Sequence, residues 1–407
     1  MRQAQYIADA IKQGAALLQR YHPFWSFNAF TAALAPTGDF LAPISNTTQI
    51  LDEDTLWQLD GDEQLQAEYF GEHFADLFAW QTKHLPPKFI SSTTDATDSA
   101  WPFWLHTDIP GRKWQQIQAF CQQLPSAHAA VEWCAGKGHL GRAYSWQHQA
   151  NVTSLEYQGA LCEQGQALAK KVGVNQTFIQ ADIYQLPLAQ PHSNEAPHSP
   201  LWLAMHACGA LHVQFLQSAC VHNARYIALA PCCYHRQHGH YAPMSAVAKD
   251  CDLILDSAAL RLAQQNQVTA GASERAQRAK ELRWRFGYEQ LRQHTQDDKR
   301  YRPLPSVKMH RFSDFTAFCE FASAHHQAPV ATAKCNQYEE LGEQARLRML
   351  RLDAIRHCFR RPLELWLLLD KMAYLVQQGY SVRALQFCAN TDTPRNLLLL
   401  ASKNEAS

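Results

Sequence analysis

The stretch Val131–Arg142, VEWCAGKGHLGR, constrains the fold more than any other part of the chain. An apolar lead-in (Ala129, Ala130, Val131) ends at an acid, Glu132. Gly136 and Gly138 follow, and from Leu140 onward the sequence reads as a helix. A strand, a tight glycine loop and a helix N-terminus in this order build a cradle. Glycines let backbone N–H groups approach a bound molecule that side chains would hold off. The arrangement suits a nucleotide-like cofactor.

Downstream the pattern alternates. Val152–Glu156 reads as a strand, Ala160–Val172 as a helix, and Thr177–Ile179 as a strand leading to Asp182. The polar, proline-bearing segment Gln190–Pro200 reads as a loop. Leu201–Met205 is a third buried run, followed by HACGALH (206–212) and a helix to about Val221. Tyr226–Ala230 is another strand and leads into PCCYH (231–235). Strands alternating with helices predict a parallel sheet covered on both faces. Near the end, Pro362–Gln378 reads as a helix, and Ser381–Phe387 and Asn396–Ala401 as strands. The ANTDTP turn between those strands predicts an antiparallel hairpin.

The rest reads as helical. Gln3–Arg20 is amphipathic, Tyr21–Pro110 is an aromatic-rich, proline-broken run of short helices, and Trp114–Gln123 is a helix. The region 236–360 breaks the alternation, with helices over Ala246–Gln264, Ala272–Gln293 and Phe312–Ala324 and a loop at Tyr301–Pro305. Four segments result: a mainly helical N-terminal domain (1–110), the first part of the α/β domain (111–235), a helical, partly basic insertion (236–360) and the end of the α/β domain (361–407).

At 407 residues, 46% hydrophobic and 18% charged, the composition is that of a globular enzyme rather than a disordered chain. The N-terminal MRQAQYIADAIKQ lacks an apolar signal core. No apolar run approaches the ~20 residues of a membrane span, so the expected compartment is the cytoplasm. The 12 cysteines are spread from Cys121 to Cys388, which favours reduced thiols over a disulfide scaffold.

Open α/β sheets bind ligands beyond the carboxyl ends of their strands. Here those ends carry Glu132 to Gly138, Glu156, Asp182, His206–Cys208–Gly209 and Cys232–Cys233–Tyr234–His235. Glu156 lies about twenty residues past the glycine turn, where an acid takes ribose hydroxyls. Asp182 is placed to reach an adenine amino group. Gly136–Gly141 also fits G-x-G-x-x-G, which keeps a nicotinamide dinucleotide and an oxidoreductase in play, although a lone match is weak. The terminal helix, strand, turn and strand suit the seven-stranded sheet of S-adenosyl-L-methionine-dependent methyltransferases better.

GRKWQQIQAFCQQ, VEWCAGKGHLGR, MHACGALH, APCCYH and TPRNLLLLASK together resemble one methyltransferase domain. It is shared by glutathione S-transferase C-terminal domain-containing proteins and related methyltransferase-like proteins. The Cys-Gly and Cys-Cys motifs are also similar to those of eukaryotic tRNA position-4 ribose methyltransferases. The resemblance covers 111–123, 129–235 and 362–403. It implies a class I, Rossmann-like fold with S-adenosyl-L-methionine across the first two strands. Glu132 would hold the methionine amino end, and Cys134, Ala135, Gly136, Lys137 and Gly138 would form the turn beneath it. Glu156 would take the ribose, Asp182 would meet the adenine, and His206 would border the donor. Cys134 departs from the family pattern by standing where the first glycine of acid-x-Gly-x-Gly-x-Gly belongs.

His206, Cys208 and Gly209 follow the fourth strand, where methyltransferases position the accepting atom, and the Asp/Asn-Pro-Pro-Tyr signature is absent there. Methyl transfer rests mainly on positioning. A hydroxyl acceptor gains from a base, either His206 or His235, with Tyr234 orienting the substrate. Cys208 with Cys232 or Cys233 admits a nucleophile-and-helper reading like that of cytosine-5 RNA methyltransferases. The same cysteines with His235 admit zinc, but adjacent cysteines lack the spacing of a structural knuckle, and no metal is expected. Small buried thiols packing at the sheet end are the plain alternative.

The whole chain balances 37 basic against 37 acidic residues, yet Arg275–Arg311 is clearly basic and Asp39–Asp76 carries only acidic charges. Arg275, Arg278, Lys280, Arg283, Arg285, Arg292, Lys299, Arg300 and Arg302 have Trp284, Phe286, Tyr288 and Tyr301 interleaved. Such a mixture suits RNA phosphates and unstacked bases, while the helical spacing of Leu282, Phe286 and Leu291 points to core packing instead. RNA is the expected acceptor. A protein or small-molecule acceptor and a catalytically silent cofactor module remain alternatives.

Overall fold

The computed structural model describes residues 2–35, 42–89, 101–184, 200–237, 239–265, 271–296, 298–330, 335–390 and 392–403. Most of the expected Gln190–Pro200 loop lies outside them. Seven strands form one sheet: β1 (Ala129–Trp133), β2 (Asn151–Glu156), β3 (Gln176–Gln180), β4 (Leu201–Cys208), β5 (Tyr226–Cys232), β6 (Tyr380–Gln386) and β7 (Leu397–Lys403). Their order is β3-β2-β1-β4-β5-β7-β6. The first five strands pair in parallel, and β7 is antiparallel to both β5 and β6. The order therefore reverses between β1 and β4, which is where open α/β sheets form their ligand crevice.

The central strands read as apolar runs because both of their faces are covered. Leu201 to Ala204 and Leu397 to Leu399 are almost wholly buried, as parallel and sandwiched strands require. Against one face pack Ile117 and Phe120 of the helix Gly111–Cys121 and Leu140 and Tyr144 of the helix His139–His148. They share a core with Val152, Leu203 and Leu398. Fully burying a side chain of this size contributes about 2 kcal/mol.

The chain forms two compact units, and their boundaries differ from the expected segments. The first unit comprises 1–19, 79–265 and 360–407. Hydrogen bonds explain why it takes both ends of the expected N-terminal domain. Trp80 Nε1 donates to Ala10 O at 3.1 Å, Trp366 Nε1 to Ile11 O at 3.1 Å, and Gln3 Nε2 to Val382 O at 2.6 Å. The start of the expected insertion also joins the sheet unit. Asp370, fully buried on the helix Arg360–Gln377, accepts from Tyr241 Oη, Met244 N, Ser245 N and Ser245 Oγ at 2.6–2.8 Å. The single helix expected over 246–264 is two short ones, Ala246–Lys249 and Ser257–Leu262, the second capped by Asp256.

The second unit comprises 20–78 and 266–359. Its helices Ala272–Gln296, Phe315–His326 and Cys335–His357 enclose Trp284, Tyr288, Phe318 and Tyr338. Gly342 permits close helix contact, since a Cβ there would lie 2.2 Å from Arg283 O. The 23-residue helix Cys335–His357 went unread in the sequence, because buried positions occur all round it, among them paired Arg346, Asp353 and Arg356. No described helix is long and apolar enough to cross a membrane.

Candidate active site

The loop after β1 is built from residues of positive φ: Cys134 at +53°, Gly136 at +58° and Gly138 at +64°. Ala135 N donates to Leu155 O at 3.1 Å and pins the loop to β2. Gly138 admits no side chain, since a Cβ would meet Gln176 Nε2 at 2.3 Å and the Phe178 ring at 2.4 Å. Gly136 is the opposite case: a Cβ there would meet nothing within 4 Å, so the backbone faces open space. Cys134 holds a left-handed conformation without being glycine, at a cost of about 1 kcal/mol.

Glu156, at the end of β2, accepts from Gly136 N at 2.9 Å and Gln158 N at 3.0 Å. Asp182, just past β3, accepts from Tyr184 N at 3.1 Å. With Cys134, Tyr157, Ile183, Tyr184 and Leu211 these acids line a cavity of about 380 Å³. That volume falls within the range of small-molecule sites. Two carboxylates set in aromatic and aliphatic walls suit a nucleoside, with the acids on its hydroxyl and amino groups. Tyr157, Tyr184, Ile183 and Leu211 escaped the sequence reading, although Tyr157 directly follows Glu156 and Tyr184 lies two residues past Asp182. Lys137 is exposed and lies outside the lining.

Glu132 is placed differently from the expectation. It is 3% exposed and does not line the cavity. Its Oε2 accepts from Ser154 Oγ at 2.7 Å and from Gln176 Nε2 at 3.3 Å, tying β1 to β2 and β3. The glycine at 141 lets the following helix close over the carboxyl, since a Cβ there would lie 2.4 Å from Oε2. Burial pushes the Glu132 pKa up to about 7, against the opposing pull of Ser154, the Gly141 amide and Arg142. A direct hold on a methionine ammonium does not follow from this position.

On the other side of the crevice, β4 carries one extra residue. Met205 pairs with Ala230 and Cys208 with Cys232, three steps against two. This β-bulge leaves His206 at a φ of +68°. His206 Nε2 lies 3.2 Å from Gln116 Oε1, and burial lowers its pKa to about 4, so the ring is neutral and weakly basic. The HACG and PCCYHR segments are laced together. Gly209 N donates to Cys232 O and Ala210 N to Arg236 O, and a Cβ on Gly209 would lie 1.8 Å from Arg236 O. Cys208 is half-buried, and its pKa is lowered to about 6, chiefly by the Cys232 thiol, with Cys233, Arg236 and Arg395 adding to the effect. Cys232 and Cys233 are raised in turn, by the hydrogen bond to Cys208 and by burial respectively.

Tyr234 corrects a second expectation. It is 1% exposed, with its ring against His212 and beneath Lys371 Nζ. A side chain so enclosed packs the core and does not orient a substrate. His235 is half-buried, and burial lowers its pKa. Gln116 and Arg395, brought in from distant parts of the sequence, were not anticipated.

In the second unit the interleaved aromatics Trp284, Phe286 and Tyr288 are buried, so they form core and not a base-stacking face. Arg292 is buried between Glu289 at 2.7 Å and Asp298 at 3.0 Å. Arg285 pairs with Glu281 and Arg302 with Asp298. Arg275, Arg278, Lys299 and Arg300 are exposed.

Residues 112–239 match the sequence profile of a family described as a methyltransferase domain. Among solved structures, coclaurine N-methyltransferase bound to N-methylheliamine and SAH is similar at 12% identity and a TM-score of 0.27, over 82% of this chain and 95% of that one. No curated protein matches the chain. The strand order with its antiparallel terminal pair is the class I, Rossmann-like methyltransferase fold. Together with the matched domain at 112–239, this fold supports S-adenosyl-L-methionine-dependent methyl transfer.

Proposed function

We propose that the enzyme methylates RNA, on a ribose hydroxyl or a base, with its donor held at the ends of β1, β2 and β3. The observation that carries the donor site is the cavity in which Glu156, Asp182 and Cys134 meet beside an unobstructed Gly136. Glu156 takes the ribose hydroxyls, Asp182 the adenine edge, and the Gly136 to Gly138 backbone supports the methionine portion. Glu132 acts from below by fixing the strands under the loop. S-adenosyl-L-methionine supplies an electrophilic methyl group when bound.

The acceptor is positioned by His206, Cys208, Cys232, Cys233 and His235 at the carboxyl ends of β4 and β5. His206, neutral and held by Gln116, serves as a positioning group, since so low a basicity ill suits it to proton abstraction near neutral pH. RNA as acceptor is supported by exposed Arg275, Arg278, Lys299 and Arg300. It is supported further by the motif resemblance to tRNA ribose methyltransferases and to the glutathione S-transferase C-terminal domain-containing group. Trp284, Phe286 and Tyr288 are buried and lend RNA no stacking face, which leaves half-buried Tyr301.

Labelled methyl transfer to fractionated extract from a deletion strain tests the reading. Label in RNA is the expected outcome. Label confined to protein or small molecules replaces the acceptor, and label in no fraction overturns the assignment. One observation favours a covalent route to a base: the Cys232 thiol lowers the pKa of partly accessible Cys208 to about 6. Near-normal turnover in Cys208→Ser removes that route.

A further inference from the structure

The three cysteines at the carboxyl ends of β4 and β5 converge more closely than their sequence spacing suggested. The bulge in β4 sets Cys208 opposite Cys232, and Cys233 turns back at a φ of +48°. The Sγ atoms of Cys208, Cys232 and Cys233 all lie within 4.8 Å of one another, with Cys208 and Cys232 separated by 3.6 Å. Zinc–thiolate bonds of ~2.3 Å in tetrahedral geometry place two sulfurs about 3.8 Å apart. A disulfide needs about 2.0 Å, and all three cysteines are free. The cluster thus stands near the edge length of a metal tetrahedron and well short of a covalent bridge.

Knuckle spacing is what a contiguous loop needs in order to wrap a metal. Here two parallel strands bring the ligands together, so the adjacency of Cys232 and Cys233 is no obstacle. We propose that Cys208, Cys232 and Cys233 form a three-sulfur site for a zinc-type divalent cation, with no fourth protein ligand among the described residues. His235 does not join the cluster, which corrects the four-ligand set considered from the sequence. Cys208 is half-buried while Cys232 and Cys233 are 1% and 8% exposed. A site with three protein ligands and one free position is the form that metal takes where it binds an exchangeable group.

Binding a divalent cation displaces the thiol protons of the three cysteines, so metal affinity rises with pH. A bound cation also removes Cys208 from covalent chemistry. The site stands independently of the donor cavity, whose lining contains none of these residues.

The test uses the full chain, reduced and stripped of metal, titrated with zinc and with cobalt. One equivalent of zinc is expected by elemental analysis, with a tetrahedral cobalt spectrum carrying thiolate charge-transfer bands. Cys232→Ser and Cys233→Ser should each weaken cobalt binding at least tenfold. Zinc loading of the wild type should also remove three thiols from the number that react with a disulfide reagent, and chelator should restore them. This readout needs no variant and holds even if a serine variant fails to fold. A wild-type chain with no cobalt charge-transfer band and no protected thiols overturns the proposal. Equal cobalt binding by a folded triple-serine variant overturns it as well.

Discussion

Glu156 lines the proposed donor cavity while Gly138 and Glu132 support the loop and strands beneath it, and each separates in a measurement. Gly138→Ala puts a methyl group 2.3 Å from Gln176 Nε2 at a φ of +64°. It should destabilise the fold by about 1–3 kcal/mol in urea denaturation. Glu156→Ala frees the Gly136 amide and removes a cavity carboxylate, so S-adenosylhomocysteine affinity should fall at least tenfold, measured by calorimetry. Glu132 differs from both. Its folded pKa of about 7 stands above the usual 4.5, so the folded chain holds this proton more tightly than the unfolded chain. Its contribution to stability therefore falls as pH rises from the unfolded towards the folded value, by about 3 kcal/mol in all. Glu132→Gln keeps an oxygen for Ser154 and Gln176. Comparing denaturation at about pH 5 and about pH 8 should show less loss in the variant than in the wild type.

At the scale of elements, every strand of the sheet was legible, β4, β5 and β7 as apolar runs and β2, β3 and β6 as short mixed segments between turn residues. The terminal hairpin was legible from two such runs around ANTDTP. What local pattern missed depends on distant partners. Tyr234 lies at a strand end like its catalytic-looking neighbours, but His212 and Lys371, from two different helices, enclose it. Glu132 follows the motif, yet its burial depends on Ser154, Gln176 and the close approach of Gly141. The convergence of Cys208 with Cys232 and Cys233 follows from a one-residue bulge that no periodicity announces. Asp370 is the most consequential of the unforeseen anchors, because it binds the 241–245 segment to the last helix. Asp370→Ala leaves several buried donors unsatisfied and should cost about 3–5 kcal/mol in thermal or urea unfolding.

At the scale of the whole chain, two units share one polypeptide through interleaved segments. The sequence pattern predicts an N-terminal domain and an insertion. Tertiary hydrogen bonds redistribute both, because Trp80, Gln3 and Trp366 tie the first helix into the sheet unit. If the second unit's exposed cations contact RNA, Arg275→Glu with Arg278→Glu should lower RNA methylation at least tenfold while leaving S-adenosylhomocysteine affinity unchanged. Equal methylation by this variant and the wild type would place the RNA contact elsewhere.

The strand-end cavity beside Gly136 is the proposed seat of the methyl donor. Calorimetric titration of the wild type and Glu156→Ala with S-adenosylhomocysteine and with NAD tests it most directly. One-site binding of S-adenosylhomocysteine to the wild type, at least tenfold weaker binding to Glu156→Ala, and no heat from NAD are expected. Binding of NAD without S-adenosylhomocysteine, or an affinity for S-adenosylhomocysteine unchanged by the substitution, would contradict it.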